Sequence, residues 1–178
     1  MKRLFIAIPI ASYVKEAIRN LRIETQGIRW IPEQSMHLTL KFIGDTDART
    51  EDLIKRSLDT IHVRPFLLPV EGFGYFPTRG QPSVIWVGVG NGHPHLFQLK
   101  KKIEDALFNI GIEPDSRVYH PHITIARCKE AAPEMVHQLA KRYKIFATAL
   151  FKVETFQLFS SQLLDEVVYL EEASWKLG

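Results

Sequence analysis

The sequence predicts a mixed fold of helices and strands, arranged as two similar lobes that share one groove. Two motifs carry this prediction, because His37–Leu40 and His122–Ile125 both read His, Leu or Ile, Thr, Leu or Ile. The spacing of apolar residues gives the order strand, helix, motif strand, helix twice. The halves also match in length, since 32 positions separate Phe5 from His37 and 37 separate Ile85 from His122. We therefore predict a duplication about a pseudo-two-fold axis, within one domain of two intertwined lobes over residues 1–178.

The first half begins with a continuous apolar run, which predicts a buried strand that Pro9 ends. Amphipathic spacing then predicts a helix on each side of the first motif strand. The predicted elements are a strand over 4–8, a helix over about 12–24, a connection over 26–32, the motif strand over about 36–43 and a helix capped by Asp45 or Asp47.

The second half repeats this order. Apolar and β-branched residues predict strands over 66–76, with bends or bulges at Gly72 and Gly74, and over 83–89. A helix over about 94–109, with Gly111 as its C-terminal cap, precedes the second motif strand over about 119–128. Pro133 fits the first turn of a fourth helix. Two final strands, over about 145–160 and 167–175, are predicted to join at residues 162–165.

Size, charge and cysteine content limit the class of protein. The chain has 178 residues, a formal net charge of +3 and one cysteine, Cys128. A single cysteine excludes an intrachain disulfide and a cysteine-rich zinc site. The small positive charge permits an anionic ligand but lacks the strongly basic profile of a protein that coats duplex nucleic acid. No stretch reaches the length of a membrane span, and the apolar run before Pro9 is short for a secretory signal, so we expect a cytoplasmic protein without a membrane partner.

The motif residues suit acid–base chemistry on a phosphate ester. Side chains alternate along a strand, so His37 and Thr39 share one face of the first motif strand, as His122 and Thr124 do in the second. An imidazole titrates near neutral pH, so one ring can act as a base while the other acts as an acid. The threonine hydroxyls can donate hydrogen bonds to the non-bridging phosphate oxygens. We therefore expect no metal ion and no cofactor.

Other polar and aromatic residues receive simpler interpretations. Lys41 continues the alternation of His37 and Thr39, so the sequence predicts a positive charge on their face. His120 is expected at the entrance of the second motif strand, and His93 and His95 at the surface near a helix start. The remaining assignments place Lys100, Lys101 and Lys102 on the solvated face of the third helix, and Trp30, Phe73, Tyr75 and Phe76 in the core, with one of the last two reaching the groove.

Four segments together resemble the two-histidine phosphoesterase superfamily, and within it the RNA 2′,3′-cyclic phosphodiesterases, historically called 2′-5′ RNA ligases. These segments are Arg3–Ala7, His37–Gly44, Gly72–Pro77 and Pro121–Arg127. The resemblance implies an α+β fold in which two mainly antiparallel sheets, flanked by helices, surround a central groove. It also implies metal-independent hydrolysis of a 2′,3′-cyclic phosphate to a 2′-phosphate end, with weak reversible 2′-5′ ligation in some members.

The resemblance also implies roles for individual residues. His37 and His122 are the expected catalytic pair, and Thr39 and Thr124 are the expected phosphate-binding hydroxyls. His122 is expected to activate water and His37 to protonate the 3′ oxygen, although the residues themselves do not choose between these roles. Arg127 is the expected phosphate contact, but strict alternation puts it on the face opposite His122, so it needs a twist or a bulge to reach the groove.

Two other functions remain open at this stage. The same scaffold can hold a mononucleotide or a phosphorylated RNA end without turnover, or act as a cyclic phosphodiesterase on a small nucleotide metabolite. Both motifs are intact, which favours catalysis. We therefore expect RNA ends or nucleoside 2′,3′-cyclic phosphates as ligands, and a monomeric protein.

Overall fold

The computed structural model describes residues 1–90, 92–129, 133–163 and 167–178. The elements in chain order are β1 (Lys2–Pro9), α1 (Ser12–Arg19), β2 (Ile28–Trp30), a single 3₁₀ turn (Glu33–Ser35), β3 (His37–Thr46), α2 (Ala48–Leu58), β4 (Phe66–Leu68), β5 (Val70–Phe76), β6 (Val84–Val89), α3 (Pro94–Phe108), β7 (His122–Cys128), α4 (Pro133–Arg142), β8 (Phe151–Val153), β9 (Thr155–Leu163) and β10 (Val167–Lys176).

The strands form two antiparallel sheets. The larger sheet has the order β10-β9-β1-β3-β7-β6-β5, with β2 also paired to β7, and the smaller sheet contains β4 and β8. The motif strands β3 and β7 are therefore neighbours at the centre of the larger sheet, where Leu38 lies opposite Ile123. The predicted α+β fold with antiparallel sheets is confirmed. The pseudo-two-fold axis and the description as one domain of two lobes stay predictions.

Burial follows the alternation of the two motifs. Leu38, Leu40, Ile123 and Ile125 are at most 1% exposed, so the apolar positions of both motifs lie in the core. Burying each such side chain contributes about 1.5–3 kcal/mol. This apolar face fixes the register of each motif strand, because a one-residue slip would exchange its buried and open faces. The imidazole and hydroxyl positions are consequently held on the open face.

Several elements differ from the sequence-based prediction. The strand predicted over 66–76 is two strands, β4 and β5, which lie in different sheets, and the second motif strand begins at His122 rather than near residue 119. α1 ends at Arg19 rather than near residue 24, because the chain tightens there into bonds from Leu21 N–H to the Ile18 carbonyl and from Arg22 N–H to the Arg19 carbonyl. β2 lies within the predicted connection over 26–32, since a strand of three residues has no periodicity of its own and forms by pairing with β7. The strand predicted over about 145–160 is two strands, β8 from Phe151 in the smaller sheet and β9 from Thr155 in the larger one, and residues 164 and 165 of the predicted joining turn lie outside the described residues. No helix in the described ranges is both long and apolar enough to span a membrane.

Candidate active site

Both motifs open onto one cavity of about 480 Å³. His37 and Thr39 line it from β3, and His122 and Thr124 line it from β7. The prediction that the two motifs share a cleft is therefore confirmed. Neither threonine hydroxyl makes a hydrogen bond to any residue that the structure describes, so both remain available to a bound ligand.

The two imidazoles are oriented in the same way. Nδ1 of His37 lies 2.8 Å from the carbonyl oxygen of Ser35, and Nδ1 of His122 lies 2.6 Å from the carbonyl oxygen of His120. A carbonyl oxygen can only accept, so Nδ1 must donate the proton in both rings. Each bond runs to the residue two positions earlier, and it leaves Nε2 as the ring nitrogen for a ligand in the cavity.

Aromatic rings surround both imidazoles. The His37 ring lies 4.8 Å from the Phe5 ring and 5.1 Å from the Tyr169 ring, measured between centroids. The His122 ring lies 5.4 Å from the Phe76 ring, so Phe76 packs against this imidazole, although neither Tyr75 nor Phe76 lines the cavity. These rings limit the rotation of each imidazole and remove water from its sides.

The removal of water weakens the affinity of both imidazoles for protons. Burial lowers the pKa of His37 to about 4, and the nearby His122 acts in the same direction. Burial also lowers the pKa of His122, with a further contribution from His120. In the free protein both rings are therefore neutral at pH 7. A bound anion between them would raise both pKa values, because it favours the charged imidazolium form.

A bulge at the same motif position interrupts the alternation in both strands. Leu40 is the extra residue in β3, since its neighbours Thr39 and Lys41 pair with consecutive residues of β1. Ile125 is the extra residue in β7, since its neighbours Thr124 and Ala126 pair with consecutive residues of β6. Each bulge exchanges the faces of the residues that follow it.

The bulge in β7 brings Arg127 to the cavity, which it lines. The bulge in β3 brings Phe42 to the cavity in the corresponding position, five residues after the histidine. Phe42 is 69% exposed, which is unusual for a phenylalanine and suits a platform on which a nucleobase stacks. The sequence analysis did not identify Phe42, although superposing the motifs residue by residue would have aligned it with Arg127.

The same bulge makes the prediction for Lys41 wrong. Lys41 turns to the opposite face of the sheet and is 3% exposed. Its Nζ donates to the Asp115 carboxylate at 2.7 Å and to the Glu113 carbonyl oxygen at 2.8 Å. Lys100, expected on the solvated face of α3, is also buried, because it donates to Asp115 and forms an ion pair with Glu104. The charge of Lys41 is thus neutralised behind the sheet and does not act in the cavity.

The other sequence candidates lie outside the cavity. The backbone carbonyl of His120 orients His122, while its own ring is exposed. The rings of His93 and His95 lie 5.8 Å apart and both stack on Phe66. Across the described residues, no three His, Cys, Asp or Glu side chains form a group that could hold a metal ion. Phe73 is in the core, as expected, and Trp30 is half-buried in a smaller cleft beside the cavity.

Comparison with known proteins shows which family model, relatives and solved structures this chain is similar to. A model of the 2′-5′ RNA ligase superfamily matches residues 10–163. A protein of Methanocaldococcus jannaschii named RNA 2′,3′-cyclic phosphodiesterase is 30% identical over 90% of this chain and 92% of its own length. One of the same name from Aeropyrum pernix is 34% identical, but that match spans 58% of this chain and 59% of the relative. The crystal structure of Escherichia coli LigT with 3′-AMP is 25% identical, with a TM-score of 0.80 over 99% of this chain and 98% of LigT.

Proposed function

Because the chain belongs to the 2′-5′ RNA ligase superfamily, we propose that it opens the 2′,3′-cyclic phosphate at the end of an RNA to a 2′-phosphomonoester. One observation carries the proposal: two imidazoles and two threonine hydroxyls line the same cavity, and within the described part of the chain neither the Nε2 atoms nor the hydroxyls have a hydrogen-bond partner. The relative from Methanocaldococcus jannaschii, named for this activity, supports it. RNA ends and nucleoside 2′,3′-cyclic phosphates are the corresponding substrates.

In the proposed reaction the two histidines divide the proton transfers. Nε2 of His122 removes a proton from a water molecule as its oxygen attacks phosphorus. The bond between phosphorus and the 3′ oxygen breaks, and Nε2 of His37 gives its proton to that oxygen. The bond between phosphorus and the 2′ oxygen is kept, so the product carries a 2′-phosphate. A positioned acid or base of this kind contributes about 10²- to 10⁴-fold in rate.

The substrate itself would prepare the acid. His37 has a pKa of about 4 in the free protein, so it enters the reaction as a neutral ring. The cyclic phosphate is an anion, and its arrival raises the pKa of both rings, which allows one of them to bind the proton that it later donates. Hydrogen bonds from Thr39 and Thr124 and the charge of Arg127 would hold the non-bridging oxygens as negative charge develops.

The proposal is tested by following a nucleoside 2′,3′-cyclic phosphate by phosphorus NMR. We expect the cyclic resonance to give way to a 2′-monophosphate resonance, with no loss of rate when EDTA is present. His37→Asn and His122→Asn should each lower turnover about 10²- to 10⁴-fold while the circular dichroism spectrum stays unchanged. Substrate that binds but remains intact would instead indicate a non-catalytic binding module. Turnover only of a small nucleotide metabolite would indicate the third function left open by the sequence.

The proposal extends to reversible 2′-5′ ligation. A 5′ hydroxyl of a second RNA can occupy the place of the attacking water, and the same base and acid then join the two ends through a 2′-5′ bond. A cytoplasmic location and a monomeric state belong to the same proposal.

A further inference from the structure

A second cleft of about 110 Å³ lies directly beside the cavity. The two spaces share walls, among them Ser35, Arg127 and Tyr169. The smaller cleft adds Arg29 and Trp30 from β2. A ligand whose reacting phosphate lies between the histidines can therefore extend into it.

Two arginines dominate the smaller cleft. Arg29 of β2 and Arg127 of β7 are directly opposite each other in the antiparallel register. Residues in that relationship project from the same face of a sheet, with Cβ atoms about 4.5–5.5 Å apart. Like charges so placed repel each other, which makes the pair unfavourable in the empty protein. Neither guanidinium has a hydrogen bond or an ion pair with any residue that the structure describes.

Two side-chain hydrogen bonds brace β2, the strand that carries Arg29, and the residue that follows it. The Trp30 indole N–H donates to the Ile23 carbonyl oxygen at 2.8 Å, which fixes the ring of the residue that follows Arg29 in the sequence. The Arg22 side chain donates to the Ile31 carbonyl oxygen at 2.8 Å, which holds the next residue of the wall. Arg29 on the braced strand β2 and Arg127 on the neighbouring β7 have no side-chain partner among the described residues, and together they match the chemistry of a phosphate group, which arginine binds in a bidentate manner.

We propose that this cleft is a second phosphate subsite, where Arg29 and Arg127 bind the phosphate on the 5′ side of the terminal nucleotide. In an RNA this group is the phosphodiester that joins the terminal nucleotide to the rest of the strand. Arg127 serves both spaces, since a guanidinium has five donors and lies in the wall between them. The inference rests on the proposed function, and it makes a phosphorylated or polymeric RNA end a better substrate than a bare nucleoside cyclic phosphate.

Two substrates isolate the contribution of that phosphate. One is a nucleoside 2′,3′-cyclic phosphate, and the other is the same molecule with an added 5′-phosphate. For the wild-type protein at low salt we expect kcat/KM to be about tenfold higher with the 5′-phosphate, which corresponds to roughly 1.4 kcal/mol of extra binding. The preference should shrink as salt is added, because exposed charges are screened.

Variants of two arginines test where the preference arises. Arg29→Gln should bring the ratio of the two kcat/KM values close to one, and Arg29→Lys should keep part of it. Arg56→Gln is the matched control, since Arg56 is an exposed arginine on α2 that lines neither space. It should leave the ratio unchanged. Equal use of both substrates by the wild type, or an equal loss of preference in Arg56→Gln, would overturn the subsite.

The test separates this inference from the proposed function. If neither substrate is hydrolysed, the proposed function fails, and calorimetry with a nucleoside 2′-phosphate and a nucleoside 2′,5′-bisphosphate tests the subsite on the same proteins. Tighter binding of the bisphosphate that depends on Arg29 would support the subsite. Equal binding of the two, or binding of neither, would refute it.

Discussion

Leu38 of β3 and Ile123 of β7 hold the same position in their motifs and lie opposite each other, in the one register pair that joins the motif strands within the described ranges. Backbone pairing therefore contributes little to the relative position of the two histidines. Side-chain hydrogen bonds on the face of the sheet opposite the cavity add to this backbone pairing. The Tyr119 hydroxyl donates to the Thr39 carbonyl oxygen at 3.0 Å, and Lys41 holds Asp115 at 2.7 Å. Both bonds fasten the segment that leads into β7 to the first motif strand.

We predict that Tyr119→Phe lowers kcat more than it raises KM. The variant removes one hydroxyl and leaves the ring, so it costs only about 1 kcal/mol of stability. Burial raises the pKa of Tyr119, which keeps the hydroxyl protonated as a donor throughout the working pH range. Without this hydrogen bond, the segment that leads into β7 is held less firmly against β3, so the position of His122 relative to Thr39 is less fixed. We therefore expect kcat to fall about three- to tenfold by steady-state kinetics.

Tyr13→Phe is the matched control for this variant. The Tyr13 hydroxyl donates to the Leu150 carbonyl oxygen at 2.6 Å, and Tyr13 does not line the cavity. It should lose similar stability and retain kcat. An equal fall of kcat in both variants would show that Tyr119 acts through stability alone.

The position of Lys41 leads to a second prediction, in which stability and ligand affinity separate. Lys41→Met should lower the free energy of unfolding by about 2 kcal/mol, because it removes a buried ammonium from its ion pair with Asp115, whose carboxylate is partly exposed and keeps Lys100 as a partner. Its affinity for a nucleoside 2′-phosphate should stay within about twofold of the wild type, since the lost charge lies behind the sheet. Urea unfolding and calorimetry measure the two quantities.

Arg127→Met supplies the opposite result for comparison. Arg127 lines the cavity and has no ion pair among the described residues, so its loss should weaken phosphate affinity and leave stability almost unchanged. If Lys41→Met weakened phosphate binding as strongly as Arg127→Met, the bulge would not have the consequence that we assign to it.

Lys41 and Arg127 also show which side-chain positions could be predicted from the sequence and which could not. Alternation correctly placed the histidines and threonines of both motifs, because each motif ahead of its bulge is a regular strand with one apolar face. It failed for Lys41 and left Arg127 on the wrong face, since each strand gains one residue at its bulge. The position of a bulge depends on the partner strand, here β1 or β6, and the residues of the motif strand alone do not reveal it.

The ion pairs of Lys41 and Lys100 with Asp115, on the face of the sheet opposite the cavity, could not be predicted from the sequence either. Lys100 stands four residues after Leu96 and three before Ile103, so helical spacing puts it on the buried stripe of α3, and only its charge favoured the solvated face. The carboxylate that makes its burial tolerable, Asp115, lies in a segment without periodicity. The carbonyl bonds that orient the imidazoles were also invisible, because they depend on backbone conformation two residues before each histidine. By contrast, the apolar stripes of the helices were sufficient to predict the elements that cover the sheet.

A third prediction concerns the pH dependence of stability. Burial lowers the pKa of His37 from 6.5 to about 4. Between these values the unfolded chain binds a proton that the folded chain does not, so the free energy of unfolding falls as pH falls through this window. Across this window, the lowered pKa of His37 reduces the free energy of unfolding by on the order of 3 kcal/mol in total. His37→Asn has no imidazole at this position, so its free energy of unfolding should depend less steeply on pH between about 6.5 and 4.

Urea unfolding of the wild type and the variant across this window measures the difference in slope. His62→Asn is a suitable control, because it removes an exposed histidine and should follow the wild-type slope. Parallel curves for the wild type and His37→Asn would contradict the burial of a neutral imidazole.

The last prediction assigns the two proton transfers, which pH profiles alone cannot distinguish because both pKa values move in the same direction. A substrate with sulfur in place of the bridging 3′ oxygen separates them. A thiol ionises far more readily than an alcohol, so a thiolate leaves without an acid. With the oxygen substrate, His37→Ala and His122→Ala should each lose about 10²- to 10⁴-fold in kcat. With the sulfur substrate, His37→Ala should recover to within about tenfold of the wild type, while His122→Ala stays inactive because the attacking water still needs a base. Recovery of His122→Ala instead would reverse the two roles, and recovery of neither variant would mean that proton donation to the leaving group is not what the missing imidazole provides.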